Sequence, residues 1–418
     1  MGALTRFAAA CLVTCGLTAP VVAEVGASLR TVLGLSDYTP GVFEFTATER
    51  FAESLLRATV ERTLSTDVTF EAHLVQAVAL FESSAVDPGG AETSLLSGGA
   101  RLRALDLDWS QSHTGTAAAD LWLDRLNTRI SLGPIDATVG RQAITFGQAY
   151  FWNPLDVFLS FDPRQFDRDY KPGVDALRGD LTLGDFSELT LVLAAGGYHD
   201  SARGRANDFW SASWYGSVAL ARWRTTLGDW DAALQAGAVF GGAQCGVGFS
   251  GEIGPLESRF EAAYLWADRS IALPGFAEQP LTEDHLTLVA GIGRWLTPTL
   301  NVEAEYLFNG AGAGNATELP TAWIRYLNGT LLQVSERVIG EVITYQLTPL
   351  SVVSLAGVHS LSDGSGLLQP GVTLSVANEM DLLLGAIVNW GRGADGGVVR
   401  SEFGSRPDTY YLEAKIYF

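Results

Sequence analysis

The chain is poor in cysteine, lysine, histidine and long apolar runs. Three cysteines occur in 418 residues, and two of them, Cys11 and Cys15, lie in the first twenty positions. Only Cys245 lies beyond that stretch, so no internal disulfide can form there. There are two lysines, Lys171 and Lys415, against 25 arginines. Acidic residues outnumber basic ones, 47 to 27, which argues against a nucleic-acid partner, because phosphate binding needs a basic face. No uncharged apolar stretch of about twenty residues appears, so any membrane crossing must be made by strands. HExxH, a Cys/His cluster and a phosphate-binding loop are all missing, and no cofactor or metal is expected. The glycine-rich string GGAQCGVGFSGEIG has no following helix and does not read as a dinucleotide site.

The histidines are His73, His113, His199, His285 and His359. Only His199-Asp200 resembles an acid–base pair, and adjacent residues on extended chain point apart. Catalysis needs a base held against a nucleophile or an activated water, so no enzyme is expected. Asp162, Asp167 and Asp169 offer oxygen ligands for Ca²⁺, but a solvated acidic loop accounts for them better.

What the chain does have is alternation. The last residues, DTYYLEAKIYF, place Tyr410, Leu412, Ala414, Ile416 and Phe418 on one face and Tyr411, Glu413, Lys415 and Tyr417 on the other. A greasy terminal edge strand invites aggregation in water but suits the closing seam of a barrel in lipid. This ending resembles the closing strand of Gram-negative outer-membrane barrels, so Tyr410, Leu412, Ile416 and Phe418 are expected to carry the signal for the barrel-assembly machinery. At the other end, Arg6, the apolar run Phe7–Gly16 and the small residues Val21 and Ala23 read as a secretory signal peptide over 1–23, with a barrel domain over 24–418.

Period-two segments predict eighteen strands, with sixteen as the alternative: 25–36, 50–64, 67–82, 117–132, 134–145, 174–184, 187–197, 214–226, 229–242, 245–253, 256–268, 284–296, 298–309, 335–347, 349–362, 367–377, 379–392 and 408–418. Tight turns such as Gly133-Pro134, Gly254-Pro255 and Thr348-Pro349 all join an even strand to the next odd one. Long connections fall on the opposite rim. That sorting predicts short periplasmic turns, long extracellular loops and periplasmic termini. Leu102–Trp109 alternates like a strand but would break the parity, so it is assigned to the second long loop as a hairpin arm.

The charged parity must face inward, because an Arg or Lys against mid-bilayer lipid costs about 2–4 kcal/mol. Arg57, Arg125, Arg129, Asp180, Glu257, Arg259, Glu261, Glu303 and Glu305 are therefore expected to face a solvated lumen. The third long loop, 146–173, carries eight aromatics and is expected to fold into that lumen. Its charges Asp162, Arg164, Asp167, Arg168, Asp169 and Lys171, with Arg178 on the next strand, are expected to line a constriction, since rings of charge set ion preference. The competing reading makes them a brace for the loop.

GRQAITFGQAYFWNPLDVF, followed by DRDYKPGVDALRGDLTLG and preceded by LDRL, resembles a family of Gram-negative outer-membrane porins over roughly 117–184. Looser similarity extends to alginate-export barrels and substrate-specific eighteen-stranded porins. The resemblance implies an all-β transmembrane barrel with an inturned third loop, passing small hydrophilic solutes or ions. Its partners would be outer-membrane lipid and those solutes, and its state monomer or homotrimer. An export conduit for an acidic polysaccharide and a non-conducting adhesin are the alternatives. Those families line the wall with arginines for anionic solutes. Here Arg57, Arg125, Arg129, Arg178 and Arg259 alternate with Glu53, Glu61, Asp180 and Glu257, so a one-sided basic ladder is missing.

Overall fold

The computed structural model describes residues 23–38, 47–82, 102–158, 170–197, 213–269, 272–273, 276–396 and 398–418. The first 22 residues of the expected signal segment lie outside them, as do the pair His199-Asp200 and the loop charges Asp162, Arg164, Asp167, Arg168 and Asp169.

The strands are β1 (Ala23–Tyr38), β2 (Ala47–Ser65), β3 (Val68–Phe81), β4 (Asp108–His113), β5 (Ala117–Leu132), β6 (Ile135–Gln142), β7 (Val174–Thr182), β8 (Ser187–Ala194), β9 (Val218–Leu227), β10 (Trp230–Val239), β11 (Gly242–Ile253), β12 (Leu256–Trp266), β13 (Ala272–Leu273), β14 (Phe276–Pro280), β15 (His285–Thr297), β16 (Leu300–Asn309), β17 (Arg337–Thr348), β18 (Ser351–Ser360), β19 (Gly366–Ala377), β20 (Met380–Trp390) and β21 (Asp408–Tyr417). Apart from β4, β13 and β14, each pairs antiparallel with its neighbours, giving eighteen strands in one ring. The ring closes where β21 pairs with β1, from Ser28 opposite Tyr417 to Asp37 opposite Asp408. Phe418 finishes the seam, its amide donating to the Ala27 carbonyl at 2.8 Å. Closure leaves the ring without an unpaired edge, the condition for strands in lipid.

Side-chain alternation sorts the two faces. On β21, Tyr410 and Leu412 are exposed outward, while Tyr411 and Glu413 are buried inward. Leu191, Leu193, Leu234, Ile292, Ile343 and Leu384 continue the exposed outer surface. The fold is a transmembrane barrel wearing an apolar coat.

The expected turns are all present, and the three that open on a glycine, at Gly133, Gly228 and Gly254, show why glycine is there. Gly133 and Gly254 take φ of 67° and 62°, the left-handed region that costs other residues more. Long connections gather on the opposite rim, and one of them carries a helix, α1 (Leu319–Leu327).

Leu102–Trp109 does not behave as a simple loop arm. Residues 108–113 form β4 and pair with the upper half of β5, from Asp108 opposite Trp122 to His113 opposite Ala118. Leu102 accepts from the Asp175 amide at the start of β7 at 2.9 Å, and Leu107 accepts from Leu123 on β5 at 3.0 Å. This segment fills the wall between β5 and β7 where β6 has already stopped. The count of eighteen stands, because the patch completes one strand's height without crossing as another.

Candidate functional site

β6 is short because the chain leaves the wall after Gln142. The aromatic segment Phe146–Phe158 then touches strands far round the ring. The Phe146 carbonyl accepts from Arg222 on β9, whose guanidinium lies 4.8 Å from the Phe146 ring centre. The Leu155 carbonyl accepts from Gln235 on β10 at 3.0 Å. Contacts with β9, β10, β12, β16 and β17 can be made together only by crossing the inside of the barrel. The inturned third loop is therefore real over its aromatic half.

Two carboxylates fasten it. Glu261 on β12 accepts the Gln148 amide at 2.5 Å and the Leu155 amide at 3.3 Å. Glu305 on β16 accepts the amides of Tyr150 and, at 2.7 Å, Phe151. Both carboxylates are almost fully buried, at 0% and 2% exposure. A buried carboxylate must be paired or hydrogen-bonded, and a crossing segment has backbone N–H groups with no ladder to satisfy them. Each need answers the other.

Glycines let the segment lie flat on the wall. A Cβ at Gly246 would stand 2.4 Å from Leu155 Cδ2, and one at Gly340 would stand 2.8 Å from Phe151 Cδ2. Phe151 and Trp152 join an inward apolar band of Val32, Val75, Val289, Leu307, Val338 and Val358. The lumen is thus not solvated throughout, as the count of inward charges had suggested. Where the third loop meets the wall, the lumen's loop-side half is packed core, because the aromatics of that loop bring apolar surface to the inward valines.

Other long loops complete the packing. The Trp152 indole donates to Gln333 Oε1 at 3.0 Å, and the Gln333 amide donates to Glu402 at 2.5 Å. Glu402, fully buried, also accepts the Ser335 amide at 2.9 Å. Gln333, Glu402 and Phe403 were missed from sequence. Trp152 and Glu402 are brought together only by closure of the ring.

The expected charges fall into three groups. Arg57 and Arg125 share Asp124, at 2.8 and 2.7 Å, and Arg103 from the wall patch joins them at 2.9 Å. All four are buried. Arg129 pairs with Asp136, Arg178 with Asp180 at 2.8 Å, and Arg259 with Glu303 and, at 3.1 Å, Glu257. These line the turn-side half of the inner wall. Glu261 and Glu305 form the third group, as clasps.

Lys171 departs from its expected place at a constriction. It is buried against Asp156 within the loop, and burial presses its ammonium below the usual range while Asp156 opposes the shift. It braces the loop rather than facing the passage. Arg178 belongs to the wall, not to the inturned segment. Arg141 at the end of β6 is fully buried and grips Asp175 at 2.8 Å and the Leu105 carbonyl at 2.6 Å. Among the described residues no His/Cys/Asp/Glu group is placed to hold a metal ion.

No family model matches the chain, and no curated protein matches it by sequence. Solved structures do. OccAB4 of Acinetobacter baumannii superposes with a TM-score of 0.56 at 11% identity, over 95% of this chain and 98% of that one. A BenF-like porin from Pseudomonas fluorescens Pf-5 gives 0.55 at 14% identity, with the same coverage. OpdK of Pseudomonas aeruginosa, solved with vanillate, gives 0.53 at 12% identity, again over 95% and 98%. At such identities the likeness concerns architecture, and the chain shares the eighteen-stranded barrel fold of these porins.

Proposed function

We propose that the protein is an outer-membrane porin of a Gram-negative bacterium that lets small hydrophilic solutes diffuse down their gradients. The observation that carries this reading is the inturned segment clasped by Glu261 and Glu305 inside a closed, apolar-coated barrel. A barrel of this strand number leaves an aqueous interior unless something narrows it. A segment pinned across that interior narrows it without sealing the charged turn-side half. The shared fold of the porins above supports the same reading.

The signal segment 1–23 would direct export, and Tyr410, Leu412, Ile416 and Phe418 would be read by the assembly machinery. The turn rim and both termini would then face the periplasm. Transport needs no reaction and no cofactor. Liposome swelling tests the proposal. Vesicles holding the refolded protein should swell in small sugars and amino acids, faster for smaller solutes. Vesicles that never swell would contradict it and favour an adhesin.

A further inference from the structure

We propose that the turn-side mouth of the lumen carries an acidic collar that makes the passage prefer small cations, inorganic ions and organic amines, over anions. This rests on the porin reading above. At the turn rim, three rungs of the barrel set carboxylates directly opposite one another, as Asp37 and Asp408 do once at the loop rim. Glu61 faces Glu71 between β2 and β3. Asp136 faces Asp180 between β6 and β7. Glu252 faces Glu257 between β11 and β12. All six stand on the inward parity. Glu61 follows Arg57, Asp180 follows Arg178, Glu257 precedes Glu261, and Glu252 follows Gly248 beneath Leu155. All six also lie close to a tight turn, so they share one rim.

Like charges directly opposite each other weaken a sheet. Three such rungs on the inner face of one rim, against the single pair Asp37 and Asp408 at the other, are not what packing alone would choose. The arginines nearby do not cancel the excess. Arg129 is engaged by Asp136, Arg178 by Asp180, and Arg259 by both Glu257 and Glu303. Higher on the wall, Arg57 and Arg125 are held by Asp124, and Arg30 by Glu413. These arginines have therefore met carboxylates, Arg224 lies 3.9 Å from Glu188, Lys415 stands opposite Asp381, and carboxylates remain. Glu61 and Glu252 are exposed, and among the described residues neither has an arginine or lysine partner. Glu71 accepts from Asn127 at 2.7 Å and lies 3.2 Å from His73, with no arginine or lysine in ion-pair contact among the described residues.

A narrow water column inside a low-dielectric wall concentrates counter-ions to that wall. Screening acts over about 8 Å at physiological salt, so the collar is felt by an ion entering the mouth but not far beyond it. The expected preference is therefore moderate.

The test is the zero-current potential of the refolded chain in a planar bilayer under a KCl gradient. The unaltered protein should favour K⁺ over Cl⁻ about threefold or more. The double variant Glu61→Gln with Glu252→Gln should bring that ratio close to one. Both side chains are exposed, so folding should survive, and an unchanged heat-dependent shift on gels would verify it. Conduction that favours Cl⁻, or a K⁺ preference that the double variant leaves intact, would overturn the collar alone. A silent bilayer would overturn the porin reading together with the collar.

Discussion

The two halves of the inner wall obey the same alternation and meet different fates. Toward the loops, inward positions hold Val32, Val75, Val338 and Val358, all nearly inaccessible beneath Phe151 and Trp152. Toward the turns, inward positions hold Arg129, Asp136, Arg178, Asp180 and Glu257, partly exposed and paired side by side. The first half behaves as a protein core and the second as a wet surface turned inside out. Period-two patterning says which residues point inward. It does not say whether another part of the chain will come to cover them.

Breaking the covered half should cost most. Asp124 holds three arginines in a buried cluster, and Asp124→Ala should lower stability by about 3–5 kcal/mol, since it strands uncompensated charge. Urea unfolding in lipid vesicles, followed by circular dichroism, would read it. Glu305→Ala removes the acceptor of two backbone N–H groups buried in the crossing segment. At about 1–3 kcal/mol for each stranded donor, it should cost several kcal/mol and raise single-channel conductance as the segment loosens.

The two faces can be compared on one strand pair. Leu384→Arg puts a cation on the outer coat of β20, where the residue is 62% exposed, and should cost about 2–4 kcal/mol if that height is mid-bilayer. Thr373→Arg, inward on the neighbouring β19, should cost almost nothing by the same unfolding measurement. Gly340→Ala should have the smallest effect of the packing changes, about 1–3 kcal/mol, because its new methyl meets Phe151. Loss of tryptophan fluorescence anisotropy would report a displaced Trp152.

Much of the architecture was legible. Strand number, closure and the sorting of short turns from long loops follow from alternation broken by Gly and Pro, as at Gly133-Pro134 and Gly254-Pro255. The inward fold of the third loop was legible from its aromatics, which would be poorly placed in water. The fastening was not. Glu261 and Glu305 read as lumen charges, and nothing local distinguishes a carboxylate facing water from one facing buried amides. Gln333 and Glu402 sit in loops with no periodicity, and their partner Trp152 lies far away in sequence. The wall patch of Leu102–His113 was obscured because its pairing compensates for a strand that ends early elsewhere.

The central claim is that a crossing segment, clasped at Glu261 and Glu305, sets the width of the passage. Single-channel conductance should be compared between the unaltered chain and one in which residues 147–157 are replaced by a short Gly/Ser linker. The account expects stable open steps from both, several times larger without the segment. Equal steps from the two chains would contradict it.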